Sequence, residues 1–498
     1  MNLAHVLERG PDDAVALIAD EQRWTYRTLR AATAALAQQL SASGLVPGDR
    51  IGLVAANNPA FVVGALAGLG AGLVVVPLNP QSPSPELARE LAVTGTRVVL
   101  ADPTAAARLA AGELAVDRVV PIVAAASLAA GSITAGSIAA VFAPLKVDRD
   151  SPAFLLFTSG TAGPPAAAIL SHGNLRANLD QVAAHPRAAV ASTDVVLAIT
   201  PMCHVFGLNA VLYPALDAGA TVVLVEHFEP SAALAAIADH RVTVVSGPPV
   251  LWDALADACH DPAVFAGVRL AVSGAAPLDD RTVAAVRLRC GVSLRQGYGL
   301  TEASPVVALS IGTDAPASSV GLPLPGLAVR LVDEVGDDVF IGDEGEIWVR
   351  GPNVFQGYWG DRDATARAID GNGWLRTGDI AVVDENGWLT LVDRVKDLII
   401  VSGFNVHPGE VETVLLSYSG VDEAAVIGVA HRGSGERLEA TVVLAKGAAV
   451  GEAELIEHCR GQLARYKVPS VVRFAEALPH GLTGKVLRRT LRRPPEES

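Results

Sequence analysis

The sequence predicts an α/β protein: a large N-terminal domain of parallel-rich αβ sheets with a small β-subdomain, then a separate α+β C-terminal domain. Three observations carry this. Short apolar runs alternate with helical patterns through the first half, which implies βαβ units and sheets covered on both faces. Near Gly326 the pattern changes to short strands separated by turn signals. Beyond Lys396 about a hundred residues remain, enough for a small domain of their own. At 498 residues the chain is too long for one ordinary core. The expected boundaries are 1–395 and 396–498.

In chain order, Tyr26 to Ser41 reads as a helix and Arg50 to Ala55 as a strand. Phe61 to Leu78 is uncharged and long enough to raise the question of a membrane span. Gly64, Gly68, Gly70 and Gly72 crowd it, however, and it ends in the β-rich run Leu73 to Val76 before Pro77, so a buried helix followed by a buried strand is expected, with no integral membrane span. Ser84 to Thr94 predicts a helix before the strand Arg97 to Ala101. The Ala-rich stretch Thr104 to Asp148 carries little information and is expected at the periphery; within it Val119 to Leu145 is uncharged but too weakly apolar to enter a bilayer. Strands are expected again at Val195 to Thr200, Thr221 to Val225, Val242 to Ser246 and Leu270 to Ser273. Val329 to Asp333, Gly345 to Arg350 and Trp388 to Val392 form the β-subdomain, with a turn at Asp384 to Gly387 (DENG). No internal repeat is visible.

Half the residues are hydrophobic and 18% are charged, which suits a well-buried globular enzyme rather than a disordered chain. A net charge of -15 argues against nucleic acid or an anionic membrane surface as partner. Any phosphate ligand would have to be met locally, by a few Lys/Arg side chains, backbone N–H groups or a divalent cation. Cys203, Cys259, Cys290 and Cys459 lie far apart without CxxC spacing, so neither a disulfide framework nor a zinc site is suggested. The start, MNLAHVLERGPDD, does not read as a signal peptide, and a reducing cytoplasm is the expected location. The composition leaves a homodimer open.

Five short segments bear chemistry. Thr158-Ser159-Gly160-Thr161-Ala162-Gly163-Pro164-Pro165 follows the apolar run Phe154 to Phe157; glycine lets backbone approach phosphate, and three hydroxyls can donate to it. Such a turn is nevertheless common after any α/β strand. Tyr298-Gly299-Leu300-Thr301-Glu302 offers a hydroxyl donor beside a hard carboxylate suited to Mg²⁺. The plainer alternative is a helix N-terminus with Thr301 as cap and Glu302 facing the dipole. Thr377-Gly378-Asp379 carries a carboxylate that could take two ribose hydroxyls, and Asp393-Arg394-Val395-Lys396-Asp397 is otherwise a solvated charge cluster. Thr483-Gly484-Lys485 places a lysine on a glycine turn, by itself an ordinary surface lysine.

In this order, the five resemble the adenylate-forming superfamily of acyl-CoA synthetases, nonribosomal peptide adenylation domains and beetle luciferases. The resemblance runs from WTYRTL (Trp24 to Leu29) to GKVLRR (Gly484 to Arg489), and Gly371 to Glu412 looks most like the fatty acyl-CoA synthetase branch. It implies that a carboxylate attacks the α-phosphate of ATP, giving acyl-AMP and pyrophosphate, and that the acyl group then passes to CoA. Two anions must meet, so neutralising donors and a cation are needed. By resemblance, Thr158, Ser159, Gly160, Thr161 and Gly163 would hold the β- and γ-phosphates. Thr301 would contact phosphate and Glu302 would hold Mg²⁺. Gly274, Ala275 and Ala276, with Gln296, Gly297 and Tyr298, would flank the adenine. Asp379 and Arg394 would bind the ribose, and Lys485 would bridge the acid and the α-phosphate. His204, in PMCHVFG, would lie against the acyl group, although a lone His beside Phe206 is equally at home in a core. The resemblance further implies a C-terminal domain that turns between half-reactions about Lys396, with Gly403 lining the pantetheine tunnel. The expected substrates are ATP, CoA and a carboxylic acid, a medium or long fatty acid before a small or aromatic one.

One departure stands out. The family pattern TSGTTGxPKG becomes TSGTAGPPAA here, so Ala166 replaces the lysine expected against the terminal phosphates. Two rival functions follow: loading of a carrier protein instead of CoA, or non-catalytic binding of an acyl-adenylate or nucleotide. Retention of Glu302 and Lys485 speaks against the second.

Overall fold

The computed structural model describes residues 1–110, 116–122, 142–158, 166–185, 187–333, 335–394, 399–431, 433–479 and 491, and the side chains of 393, 394 and 405 lie outside that description. The chain divides into two compact units. One comprises Met1–Pro80, Leu91–Leu156 and Ala167–Asp393; the other comprises Gln81–Glu90, Phe157–Ala166 and Arg394–Ser498.

The first unit is α/β. Its largest sheet has a parallel half in which Val15–Ala19, Thr221–Leu224, Val195–Ala198, Val244–Gly247, Leu270–Ser273 and Leu294–Gly299 lie side by side. From Leu294–Gly299 onward the neighbours run antiparallel, through Val306–Leu309 and Ser319–Pro323 to the strands of the β-subdomain, Leu389–Arg394, Leu375–Val383, Glu344–Arg350 and Ala328–Val332. A second sheet sets Val98–Ala101, Arg50–Val54 and Val74–Leu78 parallel, with Arg118–Pro121 at one edge. Among the described residues the Ala-rich stretch contributes this edge strand and most of the helix Pro103–Ala110.

The elements follow their sequence patterns. Phe61 to Leu78 forms the helix Pro59–Gly70, capped by Asn58, and the strand Val74–Leu78; both are buried. No described helix is long and apolar enough to cross a membrane. Trp252, Leu255, Val245, Leu197 and Phe265 anchor the core between the parallel strands and the helices Pro230–Asp239, Pro249–Ala258 and Asp280–Cys290. The strand expected from Val242 begins only at Val244. The Val242 N–H closes the preceding helix on Ile237 O, and Arg241 turns the chain there with φ 51°.

The second unit packs the helices Pro408–Leu416 and Glu452–Gln462 on a sheet of Ile399–Val401, Phe404–Val406, Val421–His431, Gly435–Leu444 and Val471–Phe474, around Val411, Leu415, Val426, Ala440 and Leu455. Lys467 is buried in this unit with its ammonium on both Glu86 and Glu410, 2.8 Å from the latter.

Candidate active site

In parallel sheets, ligand-binding groups collect at the carboxyl ends of the strands. Here the segments that bear chemistry leave those ends. Leu294–Gly299 runs into Thr301 and Glu302, Leu270–Ser273 into Gly274–Pro277, and Val195–Ala198 into Pro201–Gly207.

Thr301 does not cap a helix. It opens a single 3₁₀ turn, Thr301–Ala303, preceded by Leu300, which supplies no side-chain cap. That corrects the alternative in which Thr301 and Glu302 merely start a helix. The turn is held from outside by buried amides. Asn178 pairs both ways with Val306, donating to its carbonyl at 2.8 Å and accepting from its N–H at 3.1 Å. Asn209 donates to Ser304 O at 2.6 Å and Asn353 to Ala303 O at 2.7 Å, while Ser304 Oγ donates to Asn353 O. Each bond contributes roughly 1 kcal/mol, and loss of one partner leaves a buried carbonyl unsatisfied at greater cost. The turn is therefore fixed before any ligand arrives, with Thr301 and Glu302 left half-exposed.

Glu302 is gripped twice. Phe355 N–H donates to its carbonyl at 2.8 Å, and the Tyr358 hydroxyl donates to Oε1 at 2.7 Å. No group of three or more His, Cys, Asp and Glu able to hold a metal occurs among the described residues. A single hard carboxylate next to the Thr301 hydroxyl nonetheless fits Mg²⁺, which takes one or two carboxylates and completes its shell with substrate phosphates and water.

After Leu270–Ser273, the residues Gly274, Ala275, Ala276 and Pro277 form a partly exposed loop in which Ala275 has φ 67°. A non-glycine residue in that region costs of order 1–3 kcal/mol and is held there by the surrounding structure. Gly297 lies on the neighbouring strand, and a Cβ on Gly274 would stand 3.1 Å from its carbonyl oxygen. Tyr298 and Asp379 are both buried and joined, the phenol donating to Asp379 Oδ2 at 2.7 Å. The Leu375–Val383 strand around Asp379 is braced at a register shift by Glu346, which accepts from Gly378 N–H at 2.7 Å and from Trp348 Nε1 at 3.0 Å. Gln296 serves the scaffold, its side-chain amide donating to Ala317 O and its backbone pairing with Ser310 through Oγ and N–H.

His204 is half-buried at the start of the π-helical segment Phe206–Leu212, a form that often marks functional sites. Asn57 fixes the approach by donating to Thr200 O and accepting from Met202 N–H. Gly207 is required there, because a Cβ would sit 2.4 Å from Pro201 O. The Phe206 ring reaches within 3.6 Å of a Cβ placed on Gly274, bringing the His204 segment to the Gly274–Pro277 loop.

The remaining expected residues lie outside the described residues or in the second unit. Ser159, Gly160, Thr161, Gly163 and Lys485 lie outside the described residues, as does the Arg394 side chain. Thr158 ends the strand Pro152–Thr158, its hydroxyl 3.4 Å from Ala166 O where the next strand, Ala166–Ser171, begins. Gly403 sits in the second unit, in the turn between Ile399–Val401 and Phe404–Val406, with φ 83°. Tyr358, Glu346 and the asparagine clamp were not among the expected residues. Gly357-Tyr358 was the available signal for one of them.

A family model for AMP-binding enzymes matches residues 3–359, and that of the AMP-binding enzyme C-terminal domain matches 410–485. The chain belongs to the AMP-binding, adenylate-forming family. Within that family it is 39% identical over 476 residues to a feruloyl-CoA synthase from Amycolatopsis sp, covering 94% of this chain and 93% of that protein. It is 34% identical to a long-chain-fatty-acid–CoA ligase from Yersinia pestis, over 96% of this chain and 91% of that one. Its fold matches the amide bond synthetase McbA from Marinactinospora thermotolerans with TM-score 0.86 and 32% identity, over 99% of both chains. AMP-binding enzymes thus account for nearly the whole length of the chain, including the strand end that leads into Thr301 and Glu302.

Proposed function

We propose that the protein is an AMP-forming acid–CoA ligase with an apolar, aromatic-bearing carboxylic acid as substrate. The observation that carries the ligase reading is a pair of pre-fixed carboxylates: Glu302, beside Thr301 just past the end of Leu294–Gly299, and Asp379, held within Leu375–Val383 by its bond to Tyr298. Asp379 takes ribose hydroxyls, Thr301 donates to phosphate, and Glu302 would hold Mg²⁺, which would neutralise charge on the triphosphate. Lys485 meets the negative charge that develops as the acid carboxylate attacks the α-phosphate. Gly403 leaves room for the pantetheine arm of CoA, and the 396–498 domain turns between the two half-reactions.

Ferulate-like acids are favoured over fatty acids on two grounds. The feruloyl-CoA synthases share more identity with the chain than the long-chain enzymes do. Phe206, lying against Gly274 beside His204, offers a flat apolar wall. The deciding experiment is acid-dependent pyrophosphate release across ferulate, benzoate and C8–C16 fatty acids, with CoA, an amine or a carrier protein as acceptor. Pyrophosphate release without CoA-dependent thioester, or none from folded protein with any acid, sinks the ligase reading. A higher kcat/KM for palmitate than for ferulate overturns the substrate class alone.

A further inference from the structure

We propose that Tyr358 is a positioning residue that aims the Glu302 carboxylate at a divalent cation; this rests on the assignment of Glu302 to Mg²⁺ made above. The geometry is specific. The Tyr358 hydroxyl donates to Oε1 at 2.7 Å, and three residues earlier Phe355 N–H holds the carbonyl of the same glutamate. One short segment thus fixes both ends of Glu302. With Oε1 engaged, Oε2 is the oxygen offered to a cation.

The segment is shaped for this. Gly357 has φ 117°, and a Cβ there would collide with Thr365 Cγ2 at 2.4 Å; Thr365 Oγ1 in turn accepts the Tyr358 N–H at 2.9 Å. Tyr358 is buried, its ring edge-on to Phe355 with centroids 4.9 Å apart. Residues 356–359 pair with the strand that leaves the phosphate segment, through Ile169 N–H to Gly357 O and Trp359 N–H to Ala167 O. The backbone conformation only glycine readily adopts and the threonine hook have one joint result: a phenol delivered to a carboxylate.

The choice of donor matters chemically. A lysine or arginine in this position would cancel the charge of Glu302 and compete with a cation. A phenol restrains the carboxylate and leaves its charge in place, and no ion pair to Glu302 occurs among the described residues. Partners of this kind, lying behind a metal ligand, typically change metal affinity by about 10- to 100-fold when removed.

The test compares wild type, Tyr358→Phe and Glu302→Gln by electron paramagnetic resonance titration of Mn²⁺ into the protein–ATP complex, with no acid present. ATP binding in EDTA and the melting temperature serve as controls, and the phenylalanine keeps the ring contact with Phe355. Tyr358→Phe is expected to weaken Mn²⁺ binding roughly 10-fold or more, with metal-free ATP binding unchanged. In turnover it should raise the Mg²⁺ concentration for half-maximal rate while leaving kcat at saturating Mg²⁺ within about twofold. Mn²⁺ binding as in wild type, alongside a weakened Glu302→Gln, overturns the role of Tyr358 alone. Unchanged binding in Glu302→Gln overturns the metal assignment and the proposal with it.

Discussion

Tyr298 donates its phenolic hydrogen to Oδ2 of Asp379 across 2.7 Å, tying the last parallel strand of the large sheet to the β-subdomain inside one buried pair. In the proposed ligase this bond would set the pose in which the carboxylate meets a ribose. Asp379→Ala should raise the KM for ATP about 10- to 100-fold, the scale of charge-assisted hydrogen bonds. Tyr298→Phe should raise it by a smaller factor. The KM for the acid should not move in either, and initial rates at varied ATP and acid check this.

Lys485→Ala should slow pyrophosphate release by about 10²–10³-fold, the effect of losing one preorganised donor to developing charge. Thioester formation from supplied acyl-AMP should survive. Equal loss in both half-reactions would remove this lysine from adenylation as a special case.

Ala166 opens the strand Ala166–Ser171, at the position where the pattern that the sequence resembles has lysine. A charged hydrogen bond to phosphate contributes about 1.5–3 kcal/mol. Ala166→Lys should accordingly lower the KM for ATP by roughly tenfold or more, with acid preference unchanged in a substrate panel.

Gly403→Leu should block thioester formation while acyl-AMP accumulates. At φ 83° the substitution also strains the turn by about 1–2 kcal/mol. Full adenylation activity in the variant is therefore the measurement that separates a blocked tunnel from misfolding.

Burial among Glu86 and Glu410, only partly offset by Lys467 and Arg89, pushes the Glu90 carboxyl up to about 8. The folded state thus holds a proton that the unfolded chain releases near the ordinary glutamate value of 4.5. This contribution is complete below the unfolded value and is lost as pH rises through the folded one. Unfolding free energy should fall from pH 5 to pH 8, by up to about 1.4 kcal/mol per pH unit. Glu90→Gln should flatten that slope in denaturant titrations.

The sequence showed the fold where pattern and local chemistry agree. Ser84–Thr94 and Leu270–Ser273 appear at their expected bounds because periodicity and flanking turns point the same way. Val242 was misplaced because a helix closed on it from five residues back, a backbone event without a side-chain signature. In the site, Thr301, Glu302 and Asp379 were legible as an ordered motif set. Their supports were not, since Asn178 reaches Val306 across 128 residues and Asn353 reaches Ala303 across 50. An isolated asparagine, in a helix like Asn178 or a loop like Asn353, gives no hint of which distant carbonyl it will satisfy.

The clamp on the Thr301–Val306 loop is built from carboxamides and a hydroxyl, groups with no net charge. Counter-ions at 0.1 M screen charges beyond about 10 Å and weaken exposed pairs, but they have no purchase on buried neutral dipoles. Raising the ionic strength should therefore loosen the grip on ATP and metal while the loop itself stays set. Amide exchange of residues 301–306 should be the same at low and high salt even as nucleotide affinity declines, so that the cradle and its cargo respond to different solvents.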